Sequence, residues 1–397
     1  MRAKGENMLR FLTAGESHGK CLTGIVEGLP GGLLIDTAFI NDQLRRRQLG
    51  YGRGGRMKIE QDSVTITAGV RHGLTLGSPI AFTIENRDWD HWQVPMAVEA
   101  VPEGSDLRQV THPRPGHADL AGALKYQTQD VRNVLERASA RETAARVAVG
   151  AFCRLFLCQF GIRAGSHTVA IGPESIGEEC AHVAAEKIFA LDSEAGVRCA
   201  DPDAAQRMMA SIDRAASDGD TLGGISEIVA VSIPPGLGSH IQWDRRLDAQ
   251  IAQAMMSIPA VKAVEIGNGI AAARMAGSAV HDEIFHDAQK RKFFRKTNNA
   301  GGLEGGITNG EEIRVTISIK PIPTLRQALN SVDIRSKNVS KASVERSDTC
   351  VVPAAGVVAE GMLAIVLTNA FLEKFGGDSL DEVQRNYAGY QTSLSEY

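Results

Sequence analysis

The feature that most constrains the fold is a long apolar run from Val351 to Leu372, which carries Glu360 and Asn369 and is rich in alanine and glycine. Pro353 near its start and the glycine pair 376–377 after its end predict one long helix. Because this helix is apolar on nearly all sides, it must be buried between other layers. Its charged and small residues favour the core of a soluble protein over a membrane span.

A second apolar helix is predicted after Ser139–Glu142, which has the capping-box pattern, and it runs to about Gln159. Two amphipathic helices are also predicted, one capped by Asp36 and one that starts at Asp244 and is stopped by Pro259. The two apolar helices are again expected to be sandwiched between other layers.

Segments of β-branched or alternating character predict strands at Ser63–Ala68, Ile80–Ile84, Ile225–Ile233 and Ile313–Ile319. No proline- or serine-rich linker divides the chain, so we predict a single domain over residues 1–397 with internal helices and outer sheets, in the α+β class. The polar, turn-rich stretch at about 86–111 is predicted to be a mobile loop.

Charge and cysteine usage exclude several classes of protein. The 43 Lys plus Arg against 47 Asp plus Glu give a formal net charge of −4, which excludes a globally basic nucleic-acid binder. The N-terminal stretch has no apolar run of signal-peptide length. The six cysteines form no C-x-x-C pair and no zinc-like cluster. We therefore expect reduced core thiols, a cytoplasmic protein, no metal site and no membrane partner.

The densest positive charge lies in one glycine-rich segment, with the cations Arg45, Arg46, Arg47, Arg53, Arg56 and Lys58. A solvated helix end accounts for Arg45 and Arg46, whose charges complement the helix dipole. It does not account for an arginine within a glycine loop, so anion binding is the better interpretation for Arg47 and Arg53.

Two further clusters precede the apolar helices. Arg137 and Arg141 flank Ser139, and a helix start with two guanidiniums predicts a site for a phosphate or another electron-rich group. Arg346 and Asp348 precede the last apolar helix, and an acid at that position, taken alone, favours helix capping over chemistry.

Two histidines, His18 and His117, lie beside glycines, which keep a ring accessible and suit a proton donor near neutral pH. The loop 300–306 and the segment 320–324 predict exposed N–H groups and one cation around a cofactor. Rossmann and Walker motifs are absent from the sequence. The residues alone therefore indicate an enzyme that acts on a small, multiply anionic ligand.

A family resemblance makes this interpretation of the function more specific, because several motifs occur in one chain and in one order. They are GESHG, RRxxGYGRGGRM, RPGHAD, ERASARETAARVA, HDEI, AGGLEGG followed by TNG, KPIPT and RSDTCVVPAAGVVAE. Together they resemble the chorismate synthase family over essentially the whole length. The resemblance implies a β-α-β sandwich, a homotetramer and tightly bound reduced FMN.

The resemblance also implies the reaction, in which 5-enolpyruvylshikimate 3-phosphate loses phosphate and a ring hydrogen in a 1,4-anti elimination that yields chorismate. There is no net redox change. NADPH is the implied reductant of the flavin if the protein reduces its own FMN, a point that the motifs leave open.

The resemblance assigns roles to individual residues. His18 would protonate the departing phosphate, His117 would stabilise the reduced flavin near N1, and Asp348 would relay the proton through flavin N5. The residues implied to bind substrate or NADPH are Arg47, Arg53 and Arg141. Those implied to bind FMN are Arg137, Ala138, Ser139, Pro259, Ala260, Gly305, Lys320, Pro321, Ile322, Pro323, Thr324 and Arg346. Many relatives carry a polar residue where this chain has Pro259, so here the FMN contact would fall to the backbone of Ala260.

Two other classes of function compete with this one. A polyanion-binding module could use the arginine-rich segment, although the acidic net charge and the single ring there, Tyr51, count against it. A flavin-binding protein without turnover is the second alternative.

Overall fold

The computed structural model describes residues 8–54, 60–177, 183–345 and 347–397. Its strands are β1 (Arg10–Ala14), β2 (Cys21–Glu27), β3 (Val64–Ala68), β4 (Val70–Arg71), β5 (Leu74–Thr75), β6 (Ile80–Glu85), β7 (Arg163–Ile171), β8 (Glu174–Ser175), β9 (Gly224–Val231), β10 (Val261–Ile266), β11 (Ile284–Asp287), β12 (Lys292–Arg295), β13 (Leu303–Glu304), β14 (Ile307–Thr308), β15 (Ile313–Ile319), β16 (Asn330–Val332) and β17 (Val339–Lys341). Its α-helices are α1 (Thr37–Gln48), α2 (Asp119–Tyr126), α3 (Arg132–Ala138), α4 (Thr143–Cys158), α5 (Ala185–Phe189), α6 (Pro202–Ser217), α7 (Leu247–Met256), α8 (Gly269–Ala272), α9 (Gly277–Val280), α10 (Val352–Phe375) and α11 (Leu380–Glu396).

Two antiparallel sheets form the outer layers. One has the strand order β1-β2-β6-β3 and the other has the order β10-β15-β9-β7-β8. The four predicted strands all occur, as β3, β6, β9 and β15. The last two pair directly, with Gly224 opposite Ile319. Within the described residues, four two-stranded hairpins lie outside these sheets.

The apolar helices α4 and α10 lie between the two sheets. α10 packs against α4 and against β7 and β9, while α4 also packs against β2. The predicted α+β class with buried helices is therefore confirmed. The helices are in close contact at a glycine pair, because a Cβ on Gly150 would lie 2.4 Å from the Cα of Gly361. Only glycine permits this separation.

Several predicted helix ends need correction. Asp36 caps α1 as predicted, by accepting hydrogen bonds from two backbone N–H groups. Ser139 caps a short 3-10 turn, Ala140–Glu142, but Glu142 binds Arg146 instead of completing the capping box. The helix expected from Asp244 begins at Leu247, because 243–245 form a separate 3-10 turn.

The predicted last long helix, α10, is followed by a further helix, α11. The missed signal is a capping box in the sequence: Ser379 Oγ accepts a hydrogen bond from the N–H of Glu382, whose carboxylate in turn accepts from the N–H of Asp378. The start of α11 is therefore marked by the same pattern that marked α4.

α10 is the described helix that is long and apolar enough to cross a membrane, and 89% of its most apolar window is buried inside the protein. Its carboxylate, Glu360, is fully buried and bound by three arginines, Arg46, Arg154 and Arg198. The prediction that Arg46 is solvated is wrong, because it satisfies this interior charge. Arg45, in contrast, is exposed as predicted.

The prediction that the cysteines are buried thiols is confirmed for some of the described cysteines and not for others. Cys153 and Cys350 are buried, and burial raises the pKa of the first to about 12 and of the second to about 11. Cys158 is exposed, since it lies in the last turn of α4, and Cys21 is half-buried. Cys180 lies outside the described residues.

Candidate active site

A cavity of about 740 Å³ lies where the first turns of α4 and α10 meet the loops that carry the two candidate histidines. One wall is apolar, because Val351 lies just before α10 and the start of the helix contributes Ala354, Ala355 and Val358. The structure brings together in this lining the predicted residues His18, Arg47, Arg53, His117, Ser139, Arg141, Pro259, Ile322, Pro323, Thr324 and Asp348.

Arg47 and Arg141 form a buried arginine pair that shares one carboxylate. Arg47 comes from the last turn of α1 and Arg141 from the 3-10 turn before α4. Asp62 accepts from Arg47 at 2.9 Å and from Arg141 at 2.5 Å, and Asn86 accepts a further bond from Arg141. The Nε of Arg47 has no hydrogen-bond partner among the described residues. A second buried carboxylate, Glu60, lies 3.8 Å from Arg141, so two acids hold this pair of arginines in the cavity wall.

Burial acts on the pKa of both Arg47 and Asp62. It lowers the pKa of Arg47 by disfavouring the charged form, against the opposing effect of Asp62. It also disfavours ionisation of Asp62, but the two guanidiniums outweigh burial and hold the pKa of this carboxyl below its usual range. Asp62 therefore stays ionised and fixes both arginines in the cavity wall.

Asp348 is bound by the arginine loop and does not cap α10. Its Oδ2 lies 2.8 Å from Nη1 of Arg53, and its Oδ1 accepts the N–H of Gly54 at 2.6 Å. α10 begins at Val352 without any side-chain cap. The capping interpretation is therefore wrong for Asp348, and the pair with Arg53 ties the loop that follows α1 to the segment that precedes α10.

His18 is held in the loop between β1 and β2 by an acid that the sequence analysis missed. Both carboxylate oxygens of Glu136 lie 3.0 Å from Nδ1 of His18, and one also accepts the backbone N–H of His18. The imidazole stacks on Trp92 with centroids 4.0 Å apart. The available signal was the spacing of Arg132 and Glu136, which form an i,i+4 ion pair on α3.

His117 is held in a similar way by Asp119, which is fully buried. Nδ1 of His117 lies 2.5 Å from Oδ1 of Asp119, and Arg114 binds the same carboxylate and also Thr324. Burial disfavours ionisation of Asp119, but the hydrogen bonds from His117 and Arg114 outweigh it and hold its pKa well below the usual range. The ammonium of Lys320 donates to the carbonyl of Gly116 beside this histidine.

The stretch predicted to be mobile contributes part of the lining, and its mobility stays a prediction. It contains a 3-10 turn, Arg87–His91, and the lining residues Asp88, His91, Trp92 and Arg108. The guanidinium of Arg108 lies 4.4 Å from the centroid of the Trp92 ring. Two tryptophans within a polar stretch were the signal in the sequence that this segment packs against something.

Some predicted cofactor residues lie outside the cavity lining in the described chain. Arg137 is exposed and donates to the carbonyls of Thr13 and Gly15. Gly305 lies in the turn between β13 and β14. The remaining members of this group are Ala138, Ala260, Lys320 and Pro321. Arg346, like Arg56 and Lys58 of the arginine-rich segment, falls outside the described residues.

Ala260 shows backbone strain next to the lining residue Pro259. Its φ is 71°, in the left-handed region that favours glycine, and its carbonyl accepts the N–H of Lys320. Such strain costs about 1–2 kcal/mol and occurs preferentially at functional sites. The strained turn fixes the approach of 259–260 to the strand end that carries the 320–324 segment.

The lining as a whole is positively charged, with five arginines against three carboxylates, Asp88, Glu345 and Asp348. No group of three or more potential metal ligands occurs within the described part of the chain. Two histidines tethered to acids, beside guanidiniums and one apolar wall, can bind an anionic ligand and transfer protons to it.

Comparison with known proteins identifies the family. The chorismate synthase family model matches residues 9–372. The chorismate synthase of Geobacter sulfurreducens is 55% identical over 389 residues, which cover 96% of this chain and 98% of the relative. That of Aquifex aeolicus is 54% identical over 397 residues, covering 98% and 99%. A crystal structure of chorismate synthase superimposes with a TM-score of 0.79 at 45% identity, covering 98% of this chain and 99% of the other. The chain belongs to the chorismate synthase family.

Proposed function

We propose that this protein converts 5-enolpyruvylshikimate 3-phosphate into chorismate and phosphate with the help of reduced FMN. The observation that carries the proposal is the juxtaposition, in one cavity, of two acid-tethered histidines with a wall of arginines. The substrate carries a phosphate and two carboxylates, so its binding requires several cations, and its elimination requires groups that give and take protons.

The residues present fit FMN. A flat ring system needs an apolar surface, which the start of α10 and the segment Ile322–Pro323 provide, and the cavity volume lies in the range of small-molecule sites. The five arginines of the lining suit a phosphate group. Ser139, Pro259, Thr324 and the His117 loop would hold the cofactor. When bound, reduced FMN supplies an electron-rich ring that assists loss of the phosphate.

The chain's own residues then bind the substrate and handle its protons. Arg47, Arg53 and Arg141 would bind its anionic groups, with geometry fixed by Asp62 and Asp348. His18 would donate a proton to the departing phosphate from Nε2, since its Nδ1 faces Glu136.

Elimination breaks one C–O bond and one C–H bond and leaves one new double bond, so the ring hydrogen leaves as a proton and no net oxidation occurs. Asp348 is the carboxylate that takes up this proton, while its ion pair with Arg53 keeps it close to the cavity. His117, held by Asp119, would hold a proton beside the cofactor.

Three finer proposals accompany this function: a cytoplasmic location, NADPH as a reductant, and a homotetramer. The last is supported by an apolar patch on the four-stranded sheet, where Leu12 is 71% and Ile25 40% exposed and the two face each other across β1 and β2. A second copy of the chain covering this patch would remove it from water. Light scattering should give the mass of four chains, and a monomer would contradict this proposal.

The decisive experiment is an anaerobic titration of the protein with reduced FMN, followed by the substrate, with chorismate measured as product. Substrate should tighten FMN binding, and FMN should tighten substrate binding by the same factor, because coupling between two ligands is reciprocal. A flavin spectrum that is unaffected by substrate, without chorismate, would favour a flavin-binding protein without turnover. Absence of flavin binding together with retention of polyanions would favour the polyanion-binding module.

A further inference from the structure

Glu136 and His18 form a pair at the cavity that is held by several hydrogen bonds. Glu136 is buried, with its side chain 2% exposed, and it binds His18 through both the backbone N–H, at 2.9 Å, and Nδ1, at 3.0 Å. Its own carbonyl accepts the N–H of Ser17. The loop from Ser17 to His18 is thus fixed to α3 at three points, and His18 also lines the cavity.

The protonation of this pair follows from the carboxylate. Burial disfavours ionisation of Glu136, but hydrogen bonds from His18 and Arg132 outweigh it and hold the pKa of this carboxyl below its usual range. An ionised carboxylate only accepts hydrogen bonds, so Nδ1 of His18 must carry a hydrogen. Nε2 then bears a proton only when the ring is an imidazolium, and a proton donor has to be in this form.

The other charged groups contact Trp92 or Arg132 and not the imidazole. Trp92 stacks on His18, and the guanidiniums of Arg108 and Arg132 lie 4.4 Å and 4.9 Å from the centroid of the Trp92 ring. On the acidic side, Asp88 accepts the indole N–H of Trp92, and Glu345 lies 3.5 Å from Arg132. Neither carboxylate is bonded to the imidazole in the way that Glu136 is.

From these contacts we propose that Glu136 is a positioning residue that keeps His18 in its proton-donating form. The ionised carboxylate in direct contact with Nδ1 keeps the hydrogen there, fixes the orientation of the ring and lies beside the positive charge that the ring carries as a proton donor. This inference rests on the proposed function, because it assigns His18 the role of acid in the elimination.

The chain provides a matched control. His167, Glu227 and Arg314 form the same kind of trio in the five-stranded sheet, with Nε2 of His167 3.0 Å and Nη1 of Arg314 3.1 Å from the carboxylate. All three residues are buried and none lines the cavity. Glu227→Gln therefore removes a buried glutamate from a histidine and an arginine without touching the site.

The test compares Glu136→Gln with Glu227→Gln in pH profiles of kcat/KM, measured with prereduced FMN. The amide of Glu136→Gln would donate to Nδ1 and favour the neutral ring with its proton on Nε2, a far weaker acid. We expect activity near pH 7.5 to fall about 10–100-fold, the alkaline limb to move about one unit or more towards lower pH, and part of the rate to return there. Glu227→Gln should keep the wild-type profile.

A conservative variant and a measurement without turnover keep the test decisive. Glu136→Asp retains the charge, so its rate should fall while its alkaline limb stays where the wild type has it. In the free protein, the imidazole NMR signal of His18, identified by its loss in His18→Gln, should titrate at lower pH in Glu136→Gln than in the wild type.

An unchanged titration midpoint in Glu136→Gln overturns the inference, whatever the activity. A rate that falls equally at all pH values, with an unshifted limb, also overturns it, because that is what a purely structural role would give. Failure of the proposed function is distinguishable: the wild type itself would then form no chorismate, or His18→Ala would turn over at the wild-type rate.

Discussion

Replacing Asp62 by Asn should destabilise the protein strongly, because Asp62 is the carboxylate shared by two buried guanidiniums. Arg47 is 4% and Arg141 5% exposed, and the side chain of Asp62 is fully buried. Asn keeps the shape but places an amide N–H₂ against a guanidinium that offers no acceptor. Breaking a buried pair by removing one partner costs about 3–5 kcal/mol. At about 2.1 cal/mol/K of unfolding entropy per residue, this corresponds to a fall in Tm of about 4–6 °C.

The pH dependence has a definite sign. The pKa of Asp62 is held below its unfolded value, so its contribution is fully present above about pH 4 and is lost as pH falls towards the folded pKa. The stability difference between wild type and Asp62→Asn should therefore shrink in acid. Urea unfolding of both proteins at pH 7 and at pH 3.5 measures this difference in the free energy of unfolding.

The control is Asp42→Asn, which breaks an exposed pair with Arg45 on the same helix, where the two side chains are 44% and 46% exposed. It should cost no more than about 1 kcal/mol. If Asp62→Asn cost as little as Asp42→Asn at pH 7, the stabilising role of Asp62 between Arg47 and Arg141 would be refuted.

Two other predictions concern single residues at the cavity. Asp348→Asn should unfold at nearly the same urea concentration as the wild type, because α10 loses no cap. With prereduced FMN it should turn over about 10²-fold more slowly. A wild-type rate would show that Asp348 takes no part in the proton chemistry. Arg53→Lys should raise the substrate Kd about tenfold, because an ammonium cannot reproduce the guanidinium fork that pairs with Asp348 and a ligand together. A wild-type Kd measured by calorimetry would show that positive charge alone suffices.

The buried helices and the main strands could be predicted because their signals are local. A run that is apolar on all sides needs covering layers wherever it lies, and β9 and β15 were visible from their β-branched residues alone. The arginine-rich segment was also visible, since guanidiniums in a glycine loop have few structural reasons to be there. The sequence of that segment did not show which of these arginines line a cavity.

The partners of the charged residues could not be predicted, because they lie far away in sequence. The position of Asp348, taken alone, favoured a helix cap over the proton relay that the family resemblance implies, whereas its contacts come from Arg53 and Gly54. Arg46 was assigned to solvent, whereas Glu360 is in the middle of α10. An ion pair between residues about three hundred positions apart leaves no periodicity in either segment, so only the tertiary structure shows it.

The glycine contact between α4 and α10 bears on how the site tolerates mutation. Gly150 and Gly361 each lie about two turns into their helix, and the residues just before the two helices, from Ser139 to Glu142 and from Ser347 to Val351, include members of the cavity lining. The two helices are therefore in close contact at this point, and the N-terminal end of each helix contributes residues to the cavity lining. A methyl group added at Gly150 would clash with the backbone of Gly361 and push the two helices apart, whereas one added at Gly361 would meet its neighbours at 3.6–3.7 Å, an ordinary contact distance. Gly150→Ala should therefore weaken ligand binding before it unfolds the protein, and Gly361→Ala should disturb the cavity less.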